Sequence, residues 1–160
     1  MRALLDALQI ILLASLTIIV GARIWVAAVV LPVMQVVSPE ESVLMHQRLL
    51  TRRCGRVFKP SNYAALAAAA ACIIVIPFVP HIKEGATIGL TVIVLLMVGA
   101  YGWLTAREIP LNREVLSWGP GVVESDYPTL RADWDHASQI KLLCSVIAYF
   151  CAVAAVYLSF

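Results

Sequence analysis

ALQIILLASLTIIVGARIWVAAVVLPVMQVV, residues Ala7 to Val37, carries one formal charge, Arg23, near its middle. A run of this length crosses the roughly 30 Å hydrocarbon core of a bilayer, which takes about 20 apolar residues. An ionised side chain at that depth costs about 3 kcal/mol on insertion scales, so it normally faces a partner or a wet cavity inside the protein. Arg23 is therefore the first candidate for function, and its guanidinium is expected to turn inward onto a polar group of another helix or of the last loop.

The composition describes the same solvent. The chain is 61% hydrophobic and 14% charged, with a mean hydropathy of +0.87, whereas soluble domains run near 25% charged. Three further apolar stretches follow, Ala64 to Val79, Ala86 to Leu104 and Ile140 to Leu158. With spans drawn at 7–37, 62–80, 86–106 and 138–158, no room is left for a second domain. The expected fold is an all-α membrane protein, residues 1–160 forming one antiparallel four-helix bundle with an interfacial helix and a cytoplasmic cap. The amino terminus imitates a secretory signal, since Arg2 precedes Leu and Ile and VGA resembles a cleavage site. Asp6 and the continuation of the apolar run past Arg23 argue that the segment is retained.

Lysine and arginine set the expected topology. Arg48, Arg52, Arg53, Arg56 and Lys59 follow the first span and Arg107, Arg113 and Arg131 follow the third, against Arg2 and Lys83 on the other side. Both longer loops are expected in the cytoplasm and both termini across the membrane. The basic loop reads as an orientation signal beside acidic lipid rather than as a nucleic-acid site. In that loop Ser38-Pro39-Glu40-Glu41 has the form of a capping box, with Gly55 standing where a helix would stop, so an interfacial helix is expected from Pro39 to about Arg53. Val43, Leu44, Gln47 and Leu50 share its apolar side and Arg48, Arg52 and Arg56 the other. Gln47 interrupts the apolar side, either as a packing contact or as a lining residue of a site.

Cysteine and histidine spacing removes two classes of chemistry. Cys54, Cys72, Cys144 and Cys151 form no C-x-x-C pair, which excludes the redox signature of a thiol oxidoreductase, and they read as small packing residues. His46, His81 and His136 form no H-x-x-x-H pair, and His81 lies at the opposite surface. No metal site is expected, although His46, His136 and a carboxylate leave a mononuclear one geometrically open.

The last loop, Arg107 to Lys141, holds six of the ten carboxylates, two tryptophans and a histidine. Trp118-Gly119-Pro120-Gly121 reads as a turn, and Asp126-Tyr127-Pro128 as the start of a helix that runs unbroken into the fourth span. On that helix Asp133, His136, Ile140, Leu143, Cys144, Ile147 and Cys151 share one stripe, and Arg131, Trp134, Asp135, Ser138 and Lys141 the other. If the first stripe faces the bundle, His136 stands at its cytoplasmic mouth.

Pro110 and Asn112, then Trp118, then Leu130-Arg131, Trp134-Asp135 and His136, together with Gly21, Pro32, Gln47 and Pro60 earlier in the chain, resemble the signature of a family of small four-span membrane proteins that includes the anthrone oxygenases. The chain departs from that pattern at Gln139, where the family often has an arginine. The resemblance implies oxidation of an anthrone-like, electron-rich polycyclic phenol by molecular oxygen, with no other cofactor. It matches Asn112, Arg131, Trp134 and His136. Such chemistry needs a base, for which His136 is the candidate. It also needs donors to hold an anion, which Arg23, Arg131 and Asn112 supply, and dry aromatic walls, which Trp25, Trp118 and Trp134 supply; Gln47 is a further lining candidate. Expected partners are the bilayer and a hydrophobic aromatic molecule, with a homo-oligomer left open. Each residue also has a structural reading: Trp118 and Trp134 as interfacial belt residues, Arg131 with Asp135 as a helix ion pair, His136 as a capped interfacial residue. Two other function classes stay open. One is an accessory protein that presents a hydrophobic metabolite to a partner, and the other a small transporter subunit, which lacks the inverted repeat such proteins show.

Overall fold

Four long apolar runs separated by charged or Gly-Pro segments can bury their backbone groups in lipid only as helices. The computed structural model describes residues 1–49 and 52–159, with side chains described outside 52–58. It is all-helical among those residues: α1 (Arg2–Trp25), a π-helical segment (Val26–Val30), α2 (Leu31–Val36), α3 (Pro39–Leu49), α4 (Arg52–Val75) with a 3₁₀ turn (Ile76–Phe78), α5 (Glu84–Ser117) and α6 (Tyr127–Ser159). Four stretches, Arg2–Val36, Lys59–Phe78, Glu84–Ser117 and Tyr127–Ser159, are long and apolar enough to cross a membrane. α1 packs on α4 and α6, and α5 packs on the same two, so α1 and α5 stand diagonally across the bundle.

Small residues let these helices approach. Ala65, Ala68 and Ala69 of α4 and Ala148 and Ala152 of α6 meet Leu12, Leu16 and Ile19 of α1 and Val94, Val98 and Tyr101 of α5 in the central core. In lipid, where apolar surface gains nothing by leaving hydrocarbon for protein, close packing of small residues is a main source of helix association. Large side chains such as Ile10, Ile74, Leu96, Leu143 and Phe150 point outward instead. At one end Leu5, Cys72, Val75, Ile76 and Val79 close the bundle, and Gln9 exchanges hydrogen bonds with the hydroxyl of Ser159 at 3.1 and 3.2 Å.

The opposite end is built around α3. Ser38 caps it as its sequence predicts, its Oγ accepting from the Glu41 N–H at 3.3 Å. α3 then lies against three elements. Gln47 donates to the Val115 carbonyl at the end of α5 at 3.0 Å, Ser42 bonds the Tyr127 hydroxyl of α6 at 2.9 Å, and Gly121, at φ 71°, seats its turn against Leu44. Only a residue without a Cβ takes that left-handed conformation without strain.

Arg53, expected near the end of the first-loop helix, already belongs to α4. Gly55 does not end a helix but lies inside α4, which also carries Pro60 through its interior. A glycine or a proline in the first turns of a long helix costs at most a few bonds, and the packed length beyond repays it. Leu50, expected on the apolar side of α3, lies outside the described residues, as do the side chains of Arg52, Arg53, Cys54 and Arg56. α5 and α6 both run several turns beyond the apolar stretches that signal them.

Candidate functional site

Where α1 passes Arg23 its hydrogen bonding changes register. Pro32 has no N–H to offer the carbonyl four residues back, and the Leu31 N–H instead reaches five residues back to Val26. Such π turns widen a helix locally and are frequent at functional sites. This one sits directly after Arg23 and Trp25.

Arg23 itself points inward. Its Nε and Nη2 donate to the Tyr101 hydroxyl of α5 at 3.1 and 2.7 Å, with the guanidinium 5.0 Å from the centre of the same ring. The partner expected on another helix is thus a phenol on the diagonal one. One turn or two further along α5, Glu108 accepts hydrogen bonds at both carboxylate oxygens from the Lys141 ammonium of α6. Lys141 is 1% and Glu108 5% exposed, and Arg23 stands close enough to repel the Lys141 ammonium. Arg23 and Lys141, with Lys59 also lining the space, therefore outnumber the one carboxylate found there among the described residues. The excess positive charge is the main electrostatic fact of the site, since an uncompensated buried charge is costly.

These groups line a cavity of about 430 Å³, within the range of small-molecule sites. Its walls are aromatic, from Trp25, Tyr63, Tyr101 and Trp134, and its polar lining includes Asn62 and Asn112. Trp25 and Tyr63 are 52% and 68% exposed and form its rim. The carbonyl oxygens of Asn62 and Asn112 are both buried without a hydrogen-bond partner among the described residues. Buried polar atoms are normally paired, and each exception asks for an explanation.

Behind Trp134 lies His46 of α3, 2% exposed, its ring 4.6 Å from the indole. Neither ring nitrogen makes a well-formed hydrogen bond among the described residues, Asn112 being the polar side chain nearest to bonding it. Burial, followed by the charge of Arg131, pulls its pKa from 6.5 down to about 4, with Asn112 opposing in part. His46 is a neutral imidazole at physiological pH.

The sequence candidates thus divide. Arg23, Trp25, Asn112 and Trp134 meet at the cavity. Gln47, Trp118, Arg131 and His136 do not. Gln47 is held by the carbonyls at the end of α5, and Trp118 packs edge-on against Tyr127, 5.9 Å between centroids. Arg131 pairs with Asp135 at 3.0 Å, and also donates to Ser42 Oγ at 2.6 Å and to the Met34 carbonyl at 3.2 Å, tying α6 to α3 and α2. His136 is exposed, because the stripe that faces the bundle is the second one: Trp134, Ser138, Lys141, Ser145, Ala148 and Ala152 are buried, while Leu143 and Ile147 of the first are exposed. Two residues after Trp134, His136 is turned some 200° away from it at the helical 100° per residue. His46 and His136 consequently face apart, and no group of three His, Cys, Asp or Glu side chains among the described residues is arranged to hold a metal.

Tyr101, Glu108, Lys141 and Asn62 are the site residues that sequence reasoning passes over. Glu108 and Lys141 read as loop or boundary charges, and the signal available was that Lys141 shares a stripe with Trp134 and Ser138. No family model matches the chain, and neither a curated protein nor a solved structure matches it.

Proposed function

We propose that this is a multi-pass membrane protein whose intrabundle pocket takes an electron-rich polycyclic phenol or anthrone from the bilayer. It holds the anion of that molecule on Arg23 and exposes it to molecular oxygen, with no further cofactor. The observation that carries this reading is the Arg23 guanidinium, anchored on Tyr101 beside the Glu108–Lys141 pair in an aromatic cavity whose cations outnumber its one described carboxylate. Preorganised cations in a water-poor site stabilise a developing carbanion or phenolate far better than water does. For an anthrone the sequence balances as follows. The CH₂ carbon loses a proton, the carbanion and oxygen combine to a hydroperoxide, and loss of water leaves the quinone carbonyl. The resemblance to the anthrone oxygenases supplies the reaction class, and the cavity supplies a place for it.

In the same reading the first-loop helix lies along the headgroups, and with the segment from Asn112 to His136 it caps the cytoplasmic end, where the basic residues accumulate. Cysteine labelling of Glu40→Cys and Glu124→Cys tests this, with both expected to react from the cytoplasmic side.

One observation favours a second reading, that of a binding protein without chemistry: His136, the expected base, stands outside the cavity. The purified, chelator-treated protein in nanodiscs separates the two. Oxygen-dependent conversion of anthrone to anthraquinone, lost in Arg23→Met, supports the oxygenase. Tight binding of anthracene-9-carboxylate without turnover supports the carrier, and absence of both refutes the pocket as a site.

A further inference from the structure

The proposed reaction needs a proton acceptor at the cavity, and this inference rests on that reading. Among the described residues Glu108 is the one carboxylate lining the cavity. The other titratable groups that line it are Arg23 from α1, Lys59 and Tyr63 from α4, Tyr101 from α5 and Lys141 from α6, so each of them is a cation or a phenol. We infer that Glu108 is the catalytic base, and that Lys141 is the cation it hands over to the substrate anion.

The exchange is balanced. Before the step Lys141 donates to both oxygens of Glu108. The substrate C–H or O–H bond then breaks and its proton bonds to a Glu108 oxygen. Glu108 becomes neutral, and the Lys141 ammonium, relieved of its carboxylate, turns to the new anion alongside Arg23. The net charge of the cavity is the same before and after, so no new charge is created in the low-dielectric interior. A carboxylate that only neutralised Lys141 would serve structure alone. This one lines the same cavity as Arg23, and reach of a substrate held there is the geometric requirement for a general base.

The two roles predict opposite responses in two assays that need no oxygen. The first is exchange of the anthrone methylene hydrogens for deuterium under argon, and the second is binding of anthracene-9-carboxylate, which is already an anion. Glu108→Gln should slow exchange by about a hundredfold or more and yet bind the carboxylate several-fold more tightly, because the cavity gains one more uncompensated cation. The double variant Glu108→Gln, Lys141→Met removes both partners together, which protects the fold. It should return binding to near the wild-type level without restoring exchange. Exchange at the wild-type rate in either variant overturns the inference, as does parallel loss of exchange and binding in Glu108→Gln. A wild-type protein that binds the carboxylate but catalyses no exchange also overturns it, while leaving the pocket intact as a binding site. A wild-type protein that does not bind the carboxylate refutes the proposed function itself.

Discussion

Replacing Lys141 by Met should cost this protein more stability than any surface change, and the size follows from its surroundings. Lys141 is 1% exposed and its partner Glu108 5%, so the substitution leaves a carboxylate in a cavity walled by aromatic rings. Breaking a buried ion pair by removing one partner costs about 3–5 kcal/mol, whereas replacing both by apolar or neutral groups of similar volume is often neutral or stabilising. For a chain of this size 1 kcal/mol moves Tm by about 2–4 °C. Lys141→Met should therefore lower Tm by about 6–20 °C. The double variant Glu108→Gln, Lys141→Met should recover most of that loss. The assay is thermal unfolding in mild detergent, with the two singles and the double completing a cycle. A Lys141→Met protein that melts within about 2 °C of wild type would refute the reasoning, since it would mean that the pair is solvated or not formed.

Three further outcomes follow from the same geometry. His46 has a folded pKa of about 4 against 6.5, so the unfolded chain takes up the proton first as the pH falls. The stability this gives is complete above about pH 6.5 and is lost toward pH 4, amounting to roughly 3 kcal/mol at 1.4 kcal/mol per unit; His46→Phe should flatten the difference in Tm between pH 7 and 4.5. A Cβ at Gly102 would sit 3.3 Å from Asn62 Nδ2 at the cavity wall, so Gly102→Val should weaken binding of a three-ring ligand by about tenfold or more while smaller phenols bind as before. His136→Ala, on the exposed face of α6, should change stability by less than about 0.5 kcal/mol and leave turnover within twofold; a hundredfold loss would return the base to His136.

The spans were legible because uninterrupted apolar runs have few alternatives to a helix in lipid. Which side of a helix faces inward was not. Reading α6 by the rule for soluble proteins puts Ile140, Leu143 and Ile147 in the core, but around a membrane bundle the large apolar residues meet lipid, and the small or polar ones, here Ser138, Lys141, Ser145 and Ala148, meet the other helices. That inversion carries His136 out of the site and Lys141 into it. Arg23 was legible because a lone charge in a long apolar run has to find a partner. Glu108 was not, because its partner lies 33 residues away on another helix and both charges stand at the edges of apolar runs, where solvated residues are usual. The start of α6 at Tyr127 was legible from Asp126-Tyr127-Pro128, whereas the end of α5 at Ser117 was not, since hydropathy marks where lipid stops rather than where the hydrogen-bonded helix stops.

The central claim is that Arg23 holds an anion inside the bundle, and paired ligands test it. Anthracene-9-carboxylate and its methyl ester share their rings and differ in charge. Their affinities for wild type and for Arg23→Met, measured by ligand fluorescence in nanodiscs, should show a loss of about 10- to 100-fold for the carboxylate, the worth of about 1.5–3 kcal/mol for a hydrogen bond to a charged group, and little change for the ester. Equal losses for both ligands, or no loss for either, would contradict it.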